Sequence, residues 1–128
     1  MLDVEVDSPV PIYEQIIAQL TYAIAAGDLK TGEMIPSVRE VSKKLVVNPN
    51  TVAKAFQELE RQGIVISRRG RGMEVTEQAP EQCEKLTREL VRERLRTALR
   101  EAVSSRLSSE EIEQILSEEL HKLNGEHK

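Results

Sequence analysis

Aromatic residues are scarce in this chain of 128 residues: one Phe, two Tyr and no Trp. Any core must therefore be aliphatic, which suits a helical protein with a modest interior. A chain this short supports one compact domain with an appendage rather than two independent cores. Its one cysteine, Cys83, excludes an internal disulfide. No apolar run is long enough to span a bilayer, and no secretory leader is visible at the start. A soluble, cytoplasmic protein without membrane association is expected. The two histidines, His121 and His127, both fall in the last eight residues and with the lone cysteine make no set of metal ligands. No glycine-rich phosphate loop is present, and the glutamates of the C-terminal third are better explained as solvated helix faces than as acid/base pairs. Neither an enzyme nor a bound metal or cofactor is expected.

Charge is present but unevenly placed. The net charge is −4, which by itself argues against a polyanionic partner. Residues 1–27, however, carry four acids and no Lys or Arg, residues 28–76 carry a net +3, and residues 77–128 a net −3. The basic excess sits in the middle segment, where an electrostatic footprint for nucleic acid can be sought.

That middle segment is also the most legible in local structure. Ser37 followed by Glu40 is a capping box that opens a short helix through Leu45. After a Val46-Val47 turn, Asn48-Pro49 places a cap residue before the ring that suits the first helical position. A second helix is expected from Pro49 to about Gln62, closed by Gly63. Val52, Ala55, Phe56 and Leu59 share one face of it, and Asn50, Lys54, Gln57 and Arg61 the other. Ile64–Ser67 and Met73–Thr76 read as two short strands joined by Arg68-Arg69-Gly70-Arg71-Gly72, a basic glycine hairpin. Helix, turn, helix and hairpin make a winged helix-turn-helix pattern.

Upstream, Leu2–Val6 alternates and suggests a short strand or an extended arm. A helix is expected from Pro11 to Ala26, with Ile12, Ile16, Leu20, Ala23 and Ile24 as its buried stripe, followed by a turn-rich link over Asp28–Pro36. Downstream, Gln78–Glu81 with Pro80 reads as a junction. Leu86, Leu90, Leu95, Leu99, Ala102 and Val103 then trace a long helix to about Leu107. Ser108-Ser109-Glu110-Glu111 is a second capping signature, opening a helix through Leu123 with Ile112, Ile115, Leu116 and Leu120 as its stripe. The expected architecture is mainly α with a small β wing: a winged helix-turn-helix domain over residues 1–76 and a two-helix segment over 77–128. Two helices of this size bury little alone, so a homodimer is the simplest way to cover their apolar faces.

The stretch GDLKTGEMIPSVREVSKKLVVNPNTVAKAFQELERQGIV with the RRGRG that follows, preceded by PIYEQIIAQL, resembles the DNA-binding domain of the GntR family of bacterial transcription regulators over roughly residues 9–76. The Asn-Pro-Asn-Thr helix start and the short C-terminal tail resemble the YtrA-type branch. The resemblance implies a dimeric regulator, a repressor by expectation, in which each subunit reads half of a palindromic double-stranded operator. Larger members carry a metabolite-binding C-terminal domain for which this tail has no room, so any small-molecule effector would bind between subunits or domains.

By the docking geometry of helix-turn-helix proteins, the start of the second helix nominates Asn48, Asn50, Thr51 and Lys54 for base edges or phosphates. Asn48 is equally well read as a cap alone. Ser37 and Arg39 open the preceding helix, and Arg39 matches a family arginine that contacts DNA. Arg68, Arg69 and Arg71 carry no acid between them, and Gly70 and Gly72 let the backbone come close to phosphates or a minor groove. The chain departs from many family members at Pro49 and Ala53, where those carry Arg, so two family contacts are absent. Two other readings use the same fold: a protein-interaction module, for which the wing arginines and Lys54 would not matter, and a small-molecule sensor that does not bind an operator directly.

Overall fold

The computed structural model describes residues 2–126. Five helices and one hairpin follow in the order α1 (Ile12–Ala25), α2 (Val38–Leu45), α3 (Pro49–Arg61), β1 (Val65–Arg68), β2 (Gly72–Val75), α4 (Ala79–Ser104) and α5 (Ser109–Glu126). The fold is a winged helix-turn-helix with two further helices, mainly α with a small wing. The chain divides into two compact units, Met1–Leu90 and Val91–Lys128.

The first unit is built on α3, which packs against α1, α2 and β1. Its apolar stripe of Val52, Ala55, Phe56 and Leu59 meets Ile16, Leu20 and Ile24 of α1, Val41 of α2, and Ile64, Val65 and Val75 of the hairpin region in one buried cluster. Apart from Phe56, the fully enclosed side chains are aliphatic or small, and each Leu, Ile or Val enclosed this way contributes about 1.5–3 kcal/mol. The cluster also includes Ala79 and Cys83, with Leu86 packed against it. The first turns of α4 thus belong to the winged-helix core, and the compact unit runs past Thr76. Burial pushes the Cys83 thiol up to about 11, so the single cysteine is a small core side chain and not a nucleophile.

Local chemistry explains most of the boundaries. Ser37 Oγ accepts from the Glu40 N–H and Glu40 Oε1 from the Ser37 N–H, both at 3.1 Å, completing the capping box of α2. Asn48 Oδ1 accepts from the Asn50 N–H at 2.8 Å, and Pro49 takes the first position of α3. Gly63 closes α3 at φ +80°. Both strands lie one residue away from the sequence expectation, toward the hairpin tip. Their register, Val65 to Val75 and Arg68 to Gly72, is set by a partner distant in sequence. The Gly32 N–H donates to Val75 O, the Ile35 N–H to Met73 O, and the Val75 N–H to Glu33 O, each at 2.9 Å. The link before α2 therefore runs beside β2, bridging Met34 to Glu74. At the tip the Arg71 N–H donates to Arg68 O, and Gly70 holds the positive φ of +76° that the third position of such a turn can require.

Two other expectations are corrected, and one left open between two alternatives is resolved. Gln78–Glu81 is not the junction: α4 already starts at Ala79, with Pro80 in its first turn, where a missing N–H costs nothing. The long helix stops at Ser104, because Arg106 adopts φ +70°. The alternating Leu2–Val6 stretch is an arm rather than a strand, held by glutamine side chains acting as backbone mimics. Gln15 accepts from the Glu5 N–H at 2.8 Å and donates to Glu5 O at 2.9 Å and Val10 O at 2.8 Å. Gln19 pairs in the same way with the N–H and C=O of Asp3. The arm thereby buries Leu2.

The second unit holds the remainder of α4 and all of α5. A second capping box, Ser108 with Glu111, starts α5. None of the residues of α5 is buried. Leu95, Leu99, Val103, Leu107, Ile115, Leu116, Leu120 and Leu123 are all exposed, Val103 by 66% and Leu120 by 61%. Among the described residues no helix is long and apolar enough to cross a membrane.

Candidate nucleic-acid interface

The turn between α2 and α3 is held tightly. Ser42 donates from Oγ to Val47 O at 2.6 Å and accepts the Val47 N–H on its own carbonyl at 3.1 Å. Between them Val46 adopts φ 54°, ψ 54° and is 90% exposed. A β-branched residue in the left-handed region is strained by about 1–2 kcal/mol, and here no burial offsets it. Replacing Val46 by Gly should raise stability by up to about 1 kcal/mol, since glycine's own extra chain entropy returns about 0.5–1 kcal/mol of the relief. Thermal unfolding checks this, and a lowered melting temperature would show that the side chain makes a contact of its own.

The turn delivers α3 with its polar face outward. Asn50 and Lys54 are exposed and Thr51 is half-buried. Asn48 is exposed too, but its carbonyl oxygen is committed to the cap, leaving its amide N–H groups to donate elsewhere. Farther along the helix, Glu58 accepts from Arg61 and Gln62, with the Arg61 contact the main cause of a carboxyl pushed down to about 2. That pair is an exposed feature of the far end of α3.

Arg39 on α2 is exposed and lines a shallow groove with Val38, Ser42, Lys43 and Pro49. Lys43, one turn after Arg39 on the same face, brings a second cation to the start of α3. The sequence reading passed over it, although the i, i+4 spacing from Arg39 was there to be used. Ser37 sits at the cap. Its hydrogen bonds from the backbone and then the hydroxyl hold the Glu40 carboxyl below the usual range, so this acid stays ionised next to Arg39 at neutral pH.

The wing presents Arg68, Arg69, Gly70, Arg71 and Gly72, all exposed. They are not equivalent. Arg68 reaches across the hairpin to Glu74, with Nε at 3.3 Å and Nη2 at 3.1 Å from Oε2. Among the described residues Arg39, Arg69 and Arg71 form no ion pair, so their charge is available to a partner. Lys54 stands apart in another way: its Nζ lies 4.2 Å from the centroid of the Tyr13 ring. Tyr13, on α1 and 41 residues upstream, had no local signal to nominate it. Among the described residues no cluster of three or more His, Cys, Asp or Glu could hold a metal; His127 lies outside them.

Residues 12–75, from the start of α1 to the end of β2, match the family described as bacterial regulatory proteins, gntR family. The chain belongs to this family. Its similarity to the HTH-type transcriptional repressor YtrA of Bacillus subtilis, 47% identical over 79 residues, spans 62% of this chain and 61% of that relative. This places it with the YtrA-type GntR proteins. A GntR family transcriptional regulator from Listeria monocytogenes superposes with a TM-score of 0.68 at 31% identity, covering 88% of this chain and 97% of the other. The DNA-binding domain of AraR, solved in complex with operator ORX1, superposes with a TM-score of 0.54 at 25% identity over 59% of this chain and 96% of its own. The stretch of this GntR chain matched by the family contains all the residues nominated above.

Proposed function

We propose that the protein is a sequence-specific DNA-binding transcription regulator, a repressor that binds a palindromic operator as a homodimer. One arrangement carries the reading. The polar start of α3 stands exposed, and α2 and the wing carry exposed cations that form no ion pair among the described residues, in a chain whose overall charge is negative. Asn50 and Thr51 read base edges, with Lys54 contacting guanine or phosphate. Arg39, Arg69, Arg71 and the Gly70 and Gly72 backbone hold the duplex, and Ser37 and Asn48 fix the helix starts that face it. The operator-bound AraR domain and the repressor YtrA support this reading. Such a regulator works in the cytoplasm and needs neither a catalytic group nor a cofactor. The uncovered leucines of residues 91–126 support the dimer, which would set two copies of α3 roughly 34–36 Å apart, or a multiple of this, on one side of the duplex.

Selection from a random DNA pool tests the reading, because an enriched palindrome gives both operator and half-site spacing. A pool that enriches no sequence would overturn it in favour of a protein-interaction module. Within the selected site, Asn50→Ala should relax preference at one position of each half-site, costing about 1–3 kcal/mol against the native site and little against random DNA. Uniform weakening on all sequences would make Asn50 a positioning contact instead.

A further inference from the structure

We propose that Tyr13 is a positioning residue for DNA recognition, its ring fixing the ammonium of Lys54 on the outer face of α3 before DNA arrives. This rests on the reading of α3 as the DNA-facing helix. Lysine carries its charge on a flexible four-carbon stem, and holding such a side chain in one place on binding costs conformational freedom. In the free protein Lys54 Nζ already lies 4.2 Å from the Tyr13 centroid, within the range where a ring face attracts a cation. Tyr13 is itself half-buried and packed against the core, so the platform is rigid while the lysine is not. Lys54 is exposed, so its ammonium can rest one side on the ring and still offer N–H groups to phosphate or a guanine edge.

The geometry also explains why the contact lies on α1. The polar face of α3 carries Asn50, Lys54, Gln57 and Arg61. Asn50 is next to the cap, and Arg61 is held by Glu58. Neither engages Lys54, which has no hydrogen bond or ion pair among the described residues. The ring is the contact that restrains it. Tyr13 therefore acts through Lys54, and its effect on DNA binding must vanish when Lys54 is absent.

The test is a double-mutant cycle in the full-length protein, titrated with the selected operator at two salt concentrations alongside thermal melting. Tyr13→Phe keeps the ring and should bind as the parent does. Tyr13→Leu should weaken binding about 2- to 5-fold, the range expected for an exposed cation–π contact, and should cost nothing further in a Lys54→Ala background. Equal losses in both backgrounds would make Tyr13 merely structural and overturn the proposal. Weakening by Tyr13→Phe would do the same, by making the hydroxyl a DNA contact. If Lys54→Ala alone changes nothing, the proposal fails. The DNA-binding reading still stands if Asn50→Ala shifts specificity, and falls with it if Asn50→Ala also does nothing. Should Tyr13→Leu not fold, the NMR shifts of the Lys54 ε-methylene decide. Ring-current displacement in the free parent and in Tyr13→Phe supports the platform, and random-coil shifts refute it.

Discussion

Deleting residues 91–128 should leave a folded monomer that has lost about 10²–10⁴-fold in affinity for a full palindrome, although the deletion removes none of the proposed DNA contacts. Two physical facts make the expected loss so large. The deleted unit exposes Leu95, Leu99, Val103, Leu107, Ile115, Leu116, Leu120 and Leu123, apolar side chains of the kind that a subunit interface covers. Its seven bases and eight acids nearly cancel, so it lacks the basic excess of residues 28–76 that suits a DNA surface. Once two winged helices are joined, the second half-site contact becomes intramolecular, and avidity of this size follows without any new contact. Sedimentation and operator titration of the two lengths measure both halves of the claim. A shortened chain that still dimerises, or a full-length chain that is monomeric at micromolar concentration, would overturn it.

The cut must fall after Leu90. Ending the chain at Thr76 would also remove Ala79 and Cys83 from the core and Leu86 from its edge. Two bonds that finish the end of α3 would go too: Gln78 to Gly63 O at 3.0 Å and Gln82 to Gln62 O at 2.8 Å. The shorter fragment should therefore melt well below the longer one. Poor binding by that fragment would report stability as much as avidity.

This dependence on α4 shows where sequence reading stopped. The capping box at Ser37, the Asn48-Pro49 start and the Val52, Ala55, Phe56 and Leu59 stripe were all legible, because each is decided by residues within one or two turns. The strand ends were displaced by one residue because alternation over four residues fits two registers equally, and the bonds from Gly32 and Ile35 choose between them. Nothing local separates the three wing arginines, because no acid stands between them. Glu74, paired with Arg68, comes from the opposite strand. For Gln15 and Gln19, nothing local shows that their amides hold the arm. In each case the missing information was a contact between distant positions.

The same distinction among the arginines sets the second large effect. Replacing Arg39, Arg69 and Arg71 together by Ala should weaken operator and random DNA alike, and should flatten the salt dependence more than it changes the fold. Each phosphate contact releases counterions and contributes about 0.9 to the slope of log affinity against log salt. If all three lie on phosphates, the slope should fall by about 2.7. Between 50 and 200 mM salt the parent would then lose roughly 40-fold more affinity than the variant. Melting temperature should hardly move, because all three side chains are exposed and, among the described residues, make no ion pair that folding would lose. Arg68 is the internal control. Part of its charge already faces Glu74, so Arg68→Ala alone should change the slope less than Arg69→Ala. Titrations of the parent, the triple variant and the two single variants at several salt concentrations would settle the matter. A triple variant with the parent's slope would remove the Arg39, Arg69 and Arg71 side chains from the DNA surface.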